Sequence, residues 1–393
     1  MLGAGVIIIA VGLLSSPYPT PARTVPSAWQ TAAAALLRHP ADDAALAELE
    51  RLSTVLRDPE TGEPERDVTT AAPSVVAALQ AAVQARPDDA RPRRLLGLTL
   101  LAAGLPRAAV VELRRAGDPS VLTLALLRAG RPEEVLDLPA LRDPQPGNAA
   151  LLIARGRAFE MLRRYDDAAA ALRQASAADP ADPNPVARLG LLLLWQGDRE
   201  GALRALRTAT ALDPQARATL RLSAEYAYAT RDFAASAAAY DRLIALGAPE
   251  RYDPIPPSLG KARALIYQGD LQRAATVLDQ TRLPRDDPPV GYYRALLAFR
   301  AGDFAQASEL ARPLVGRLRD FPPLHLLIGL AMLANGYPET ARDHLQRYVA
   351  AIPANTVAEA LLRDATRLST PGPSRPVPVA SARLYAALGF AVP

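Results

Sequence analysis

Residues 189–214 read LGLLLLWQGDREGALRALRTATALDP, and 34 residues earlier 155–180 read RGRAFEMLRRYDDAAAALRQASAADP. Gly156, Ala168, Ala175 and Pro180 fall at the same relative places as Gly190, Ala202, Ala209 and Pro214. In both stretches a turn-like centre (RRYDD, QGDRE) separates two apolar runs of helical period. This is a helix–turn–helix unit repeated at a fixed interval, the sign of a repeat architecture. With the glycine at place 8, small residues at places 8 and 20 let the two helices approach. A small residue at place 27 admits the next unit, and the proline ends the second helix because it has no backbone N–H.

The register continues downstream. A third unit carries Ala224, Phe233, Ser236 and Tyr240, and a fourth, after a longer loop, carries Ala262, Leu271, Ala274 and Leu278. The fifth has Ala295, Phe304, Ala307 and Ala311, and the sixth has Gly329, Gly336, Ala341, Leu345 and Pro353. Upstream, Gly97, Gly104, Ala109, Leu113 and Ala116 form a matching unit, followed by a shorter degenerate one at 120–138. Gly-Asp pairs such as Gly197-Asp198, Gly269-Asp270 and Gly302-Asp303 stand at the turn inside a unit. There the glycine ends one helix and the aspartate caps the next, so these acids are not read as catalytic.

Over roughly 73–366 this pattern resembles the tetratricopeptide repeat (TPR) family. The resemblance implies an all-α solenoid of antiparallel helix pairs forming a right-handed superhelix, with a concave surface lined by places 2, 5, 9, 12 and 13 of each first helix. Carried onto this chain, the partner-binding residues are Arg157, Glu160, Trp195, Arg221, Glu225, Tyr228, Arg263, Tyr267, Tyr292, Phe299 and Arg300, with Leu326, Leu330 and Leu333 in the sixth unit. Aromatic and arginine side chains are favoured at binding hot spots, while packing between neighbouring first helices is an equal use for the aromatic ones. No asparagine occupies place 9, which disfavours a chaperone-carboxylate clamp. The stretch 291–362 is similar to bacterial envelope TPR proteins associated with exopolysaccharide production and exosortase (PEP-CTERM) systems.

Half of the 393 residues are hydrophobic but only 5% are aromatic, which suits close stacking of alanine-rich helices. The formal charge is +4 and Lys261 is the only lysine. The arginines alternate with acids, as on a solvated helical surface, so nucleic acid is not an expected partner. With no cysteine there is no disulfide, thiol catalysis or zinc–thiolate site. His325 and His344 can meet across one hairpin but lack a carboxylate partner, and are read as packing residues rather than metal ligands. No nucleophile elbow, phosphate-binding glycine loop or HExxH motif occurs, and neither enzymatic activity nor a cofactor is expected.

The segments expected are a signal peptide or short membrane anchor with a Pro-rich linker (1–26), an N-terminal helical pair and polar loop (27–72), degenerate repeats (73–148), six repeats (149–366) and a Pro-rich linker with a C-terminal helix (367–393). The apolar run at 2–14 is shorter than the about 20 residues of a spanning helix, and points to the cell envelope, periplasmic or anchored at the inner membrane, the other reading being the apolar first helix of a cytoplasmic solenoid. SARLYAALGF, at 381–390, either caps the edge of the last repeat or binds elsewhere; the apolar sixth unit calls for a buried contact with it or with a partner. Two functions stay open: an envelope scaffold for exopolysaccharide export or surface-protein sorting, and a membrane-tethered assembly chaperone holding an extended client peptide, of the cytochrome c maturation or secretin type.

Overall fold

The computed structural model describes residues 27–55, 72–142, 148–247, 255–281, 283, 286–318, 321–353, 355–369 and 381–390. The N-terminal segment 1–26, most of the polar loop at 57–73 and the Pro-rich stretch 370–378 lie outside them. The described residues are all-α, with twenty-two α-helices and no strand among them. None of these helices is long and apolar enough to cross a membrane. The chain divides into two compact units between Asp118 and Pro119.

The first unit holds α1 (Ser27–Arg38), α2 (Asp43–Val55), α3 (Ala72–Ala85), α4 (Ala90–Ala102) and α5 (Pro106–Ala116). Leu36, Leu46, Leu79, Leu101 and Leu113 are buried between them. Gly97 on α4 faces the Leu113 side chain on α5, where a Cβ would clash.

The second unit opens with three short helices, α6 (Pro119–Arg128), α7 (Pro132–Asp137) and α8 (Pro139–Arg142). Six helix pairs follow: α9 (Ala149–Met161) with α10 (Tyr165–Ala178), α11 (Pro183–Trp195) with α12 (Arg199–Leu212), and α13 (Arg217–Ala229) with α14 (Phe233–Ala245). Then come α15 (Pro257–Gln268) with α16 (Leu271–Gln280), α17 (Pro288–Arg300) with α18 (Phe304–Ala311), and α19 (Pro322–Ala334) with α20 (Pro338–Ala351). The unit closes with α21 (Thr356–Ser369) and α22 (Ser381–Ala387).

The signature residues explain the pairing. Ala168, Ala175, Ala202, Ala209 and Ala341 are fully buried, and Gly156, Gly190 and Gly329 are buried with them. The neighbour that sets the glycine, however, is mainly the leucine at place 24 and not the small residue at place 20. A Cβ on Gly156 would come within 3.1 Å of Leu172, and one on Gly329 within 2.8 Å of Leu345. Gly190 instead receives Leu222 of the next pair, at 2.5 Å from such a Cβ. Pro180, Pro214 and Pro353 are exposed just beyond helix ends, so they terminate helices without packing.

In four of the six pairs the turn is capped alike, while Arg164 and Tyr337 stand at the cap of α10 and α20 without a side-chain bond. Asp198, Asp232, Asp270 and Asp303 each accept a hydrogen bond from the backbone N–H three residues on, at 2.8–3.2 Å. The residue at place 15 has a positive φ: Gly197, Gly269, Gly302 and Gly336 take it freely, and Arg163 (58°) and Arg231 (65°) take it at a conformational cost. Pro313 cuts the second helix of the fifth pair short, and a 3-10 turn over Arg312–Leu314 follows.

α21 packs along α20 and covers the last pair. The edge beyond α20 is thus taken by α21, while α22 of SARLYAALGF touches α21 and α19.

Candidate functional site

The eleven residues expected to bind a partner all lie on first helices of the pairs, from α9 to α17. The structure separates them into two groups.

On α9 and α11 the face is open. Trp195, at the C-terminal end of α11, is 53% exposed, and Met161, at the same place on α9, is 47% exposed. Arg157 and Glu160 are half-buried. Burial raises the Glu160 pKa above the ordinary carboxylate value, against the attraction of Arg188 and Arg157, which lowers it.

From α13 to α19 the face is filled. Glu225 and Arg263 both stand at place 9, on α13 and α15, and are joined side by side. Arg263 Nη2 lies 2.8 Å and 2.9 Å from the two Glu225 carboxylate oxygens. Tyr240 Oη on α14 donates to the same carboxylate. The Arg263 guanidinium lies 3.8 Å from the centre of the Tyr228 ring. Burial works against the Arg263 charge, but the Glu225 carboxylate outweighs it and keeps the guanidinium firmly protonated. Arg221 is half-buried and donates to the Ile255 carbonyl.

Tyr292 and Phe299 on α17 are interior residues, Phe299 with no exposure at all. Tyr292 packs edge-on against Phe321, ring centres 4.9 Å apart. Glu225, Tyr292 and Phe299, expected on an accessible groove, are therefore turned inward to charge and ring partners within the chain.

The cover over this second group is the C-terminal segment. Tyr267 Oη donates to the Leu388 carbonyl at 2.9 Å, and its ring lies 4.6 Å from that of Phe390. Tyr385 meets Phe299 edge-on at 5.7 Å. The Arg300 guanidinium lies 5.3 Å from the Tyr385 ring centre and 5.1 Å from that of Phe390. Arg231 Nη2 donates to the Gly389 carbonyl at 3.1 Å. Leu326, Leu330 and Leu333 are buried in the same cluster as Leu384 and Tyr385, and α22 touches α19. The buried contact that the apolar sixth unit calls for is met by the chain's own C-terminus.

Sequence reasoning did not single out Arg231, Tyr385 or Phe390 as parts of this face. The available signal was the amphipathic SARLYAALGF together with an all-leucine sixth unit.

His325 and His344 do meet, Nδ1 to Nδ1 at 2.9 Å. Burial, with the charge of the facing ring and of Arg347, pushes the His344 pKa down to about 4. Among the described residues no group of three His, Cys, Asp or Glu is placed to hold a metal ion. Arginines pair widely with acids, as in Arg294–Asp279 at 3.0 Å and Arg164–Asp167 at 2.8 Å.

Residues 152–226 and 292–356 each match a tetratricopeptide repeat family model, so the chain carries tetratricopeptide repeats. No curated protein matches the chain. Among solved structures, the Cut9–Hcn1 heterotetramer of the APC/C is similar over 86% of this chain and 72% of its own, with 15% identity and a TM-score of 0.55. A tetratricopeptide repeat protein from Parabacteroides merdae is similar over 66% and 97%, at 18% identity and a TM-score of 0.46. PilW, a type IV pilus biogenesis factor, is similar over 55% and 98%, at 18% identity and a TM-score of 0.45. The likeness is one of fold. Repeats of this kind are generally non-catalytic scaffolds for protein contacts.

Proposed function

We propose that these repeats serve as a protein-interaction scaffold that docks a partner segment on the open part of the first-helix face, at α9 and α11. The observation that carries this is the exposure of Trp195. It stands at place 13, where Tyr267 and Arg300 of later pairs already contact the C-terminal segment. A large exposed aromatic on α11, with Met161, Arg157 and Glu160 on α9 of the preceding pair, combines apolar area with charges of both signs, the make-up of a hot spot. No group on this face is arranged as nucleophile and base, and the proposed role is non-catalytic.

The apolar run at 2–14 supports a setting at the cell envelope. Within it the scaffold role extends to the export or sorting of surface material. The assembly-chaperone reading, in which an extended client peptide is held, has less support, since the segment seated on the filled part of the face is helical over Ser381–Ala387.

The test is in-cell crosslinking of the full chain followed by purification and mass spectrometry, with Arg157→Ala/Trp195→Ala as the comparison. The expected result is that the main partner of the wild type is lost from the variant while its melting temperature is kept. Equal capture by both would overturn the assignment. Fractionation of the same cells checks the envelope setting, and recovery with the cytoplasmic proteins would contradict it.

A further inference from the structure

The C-terminal segment does not continue the repeat. A seventh pair in register would start its second helix near residue 372, whereas α22 begins at Ser381 and has seven residues. What holds it is its end. The N–H of Phe390 bonds to the Tyr385 carbonyl at 3.0 Å and that of Gly389 to the Ala386 carbonyl at 3.0 Å. Gly389 has φ +76°, the left-handed conformation such a helix end requires. This turn folds Phe390 back toward Tyr385, ring centres 6.3 Å apart.

The repeats receive this end as a ligand is received. The Leu388 and Gly389 carbonyls lie past the last helical turn, and Tyr267 and Arg231 donate to them. The two aromatic rings enter between Tyr267, Phe299 and Arg300, and Leu384, Tyr385, Leu388 and Phe390 are all buried there. Two carbonyls and two rings, presented by one short helix end, define the recognition.

We propose that the face from α13 to α19 binds partner segments of this same chemistry, and that Ser381–Phe390 is a tethered competitor that such a segment displaces. The partner segment is a short helix closed by a glycine turn, with one aromatic residue before the turn and one after it. This rests on the reading of the first-helix face as a peptide-binding surface and adds the chemistry of the peptide. Tethering presents the native segment at an effective concentration in about the millimolar range, so free segments meet a largely occupied face.

The experiment uses a fluorescein-labelled peptide of residues 381–390 and fluorescence anisotropy. It is titrated with the full wild-type chain and with full-length Tyr385→Ala/Phe390→Ala. The variant is expected to bind the peptide at least about tenfold more tightly than the wild type, because its own segment no longer competes. A peptide carrying both alanines is expected not to bind. Trp195→Ala added to the variant is expected to leave peptide binding unchanged, which separates this outcome from failure of the α9–α11 site. A variant that is folded by circular dichroism but does not bind, or a wild type that binds equally well, would overturn the proposal.

Should the double variant not fold, hydrogen exchange on the wild type decides. Displaceability predicts that the Leu388, Gly389 and Phe390 amides exchange at least about a hundredfold faster than those of the α19 interior. Exchange of both only through a shared global opening would make the segment a fixed part of the core, and the proposal would fall.

Discussion

Trp195 and Tyr267 occupy place 13 of the second and fourth helix pairs, yet one is 53% exposed and the other lies under Phe390. The same repeat position thus faces solvent at α11 and the chain's own C-terminus at α15. What differs is not the local fold, since both pairs share pitch, turn and aspartate cap. A surface made by repetition acquires different roles along its length from whatever non-repeating segment lands on it. The α9–α11 part exposes Trp195 and Met161, and the α13–α19 part is already in contact with the C-terminal segment.

Truncating the two faces gives the sharpest contrast. Phe299→Ala removes a ring with no exposure and is expected to cost about 3–5 kcal/mol. Trp195→Ala, at an exposed site, is expected to stay within about 0.5 kcal/mol. Denaturant unfolding of both reads this directly, and similar losses would mean that the open part of the face is packed too.

The charge pairs sharpen the comparison next. Glu225→Ala leaves Arg263 buried without its carboxylate, and a loss of about 3–5 kcal/mol is expected. Glu160→Ala, on the open part, is expected to change stability by less than about 1 kcal/mol. The same unfolding curves check both, and a near-neutral Glu225→Ala would show that water reaches the pair.

Helix approach is common to both parts, so its disruption should not discriminate between them. Gly329→Ala puts a Cβ 2.8 Å from Leu345, and Gly156→Ala puts one 3.1 Å from Leu172. Each is expected to destabilise, by about 1–3 kcal/mol at Gly329 and less at Gly156, where the gap is wider. A stabilised Gly156→Ala, through helix propensity alone, would show that the leucine moves aside at no cost.

A smaller effect depends on pH. The His344 pKa is lowered to about 4 from an ordinary 6.5. Between these values the unfolded chain binds the proton that the folded chain refuses, so stability falls as pH drops from about 6.5 toward 4. Because His344 is half-exposed, the loss is expected to be only about 1 kcal/mol. His344→Gln should flatten this part of the melting-temperature profile. An unchanged profile would assign the acid sensitivity to other groups.

The repeat was legible in the sequence because its signals are local. Gly190, Ala202 and Ala209 recur at a fixed pitch, and Asp198 or Asp303 caps the helix that follows it. The role of the place-24 leucines, Leu172 and Leu345, was less plain, since a leucine in a helix announces no particular neighbour. Glu225 and Arg263 were read as groove residues, although opposite charges at place 9 of adjacent pairs also spell an internal ion pair. The occupied face was the least legible feature. The Tyr267–Leu388 bond joins residues 121 apart in the chain, and no periodicity links them. The leucines of α19 signalled a missing partner and left its identity open.

The most direct test of the two-part face is hydroxyl-radical footprinting of the full chain, read residue by residue by mass spectrometry. Trp195 and Met161 should be oxidised readily, while Tyr267, Tyr385 and Phe390 react at least about tenfold more slowly than free side chains of their own type. In Tyr385→Ala/Phe390→Ala, Tyr267 should become reactive with Trp195 unchanged. Tyr267 and Phe390 as reactive as free side chains in the wild type would contradict the account, because the face would then be open from α9 to α19.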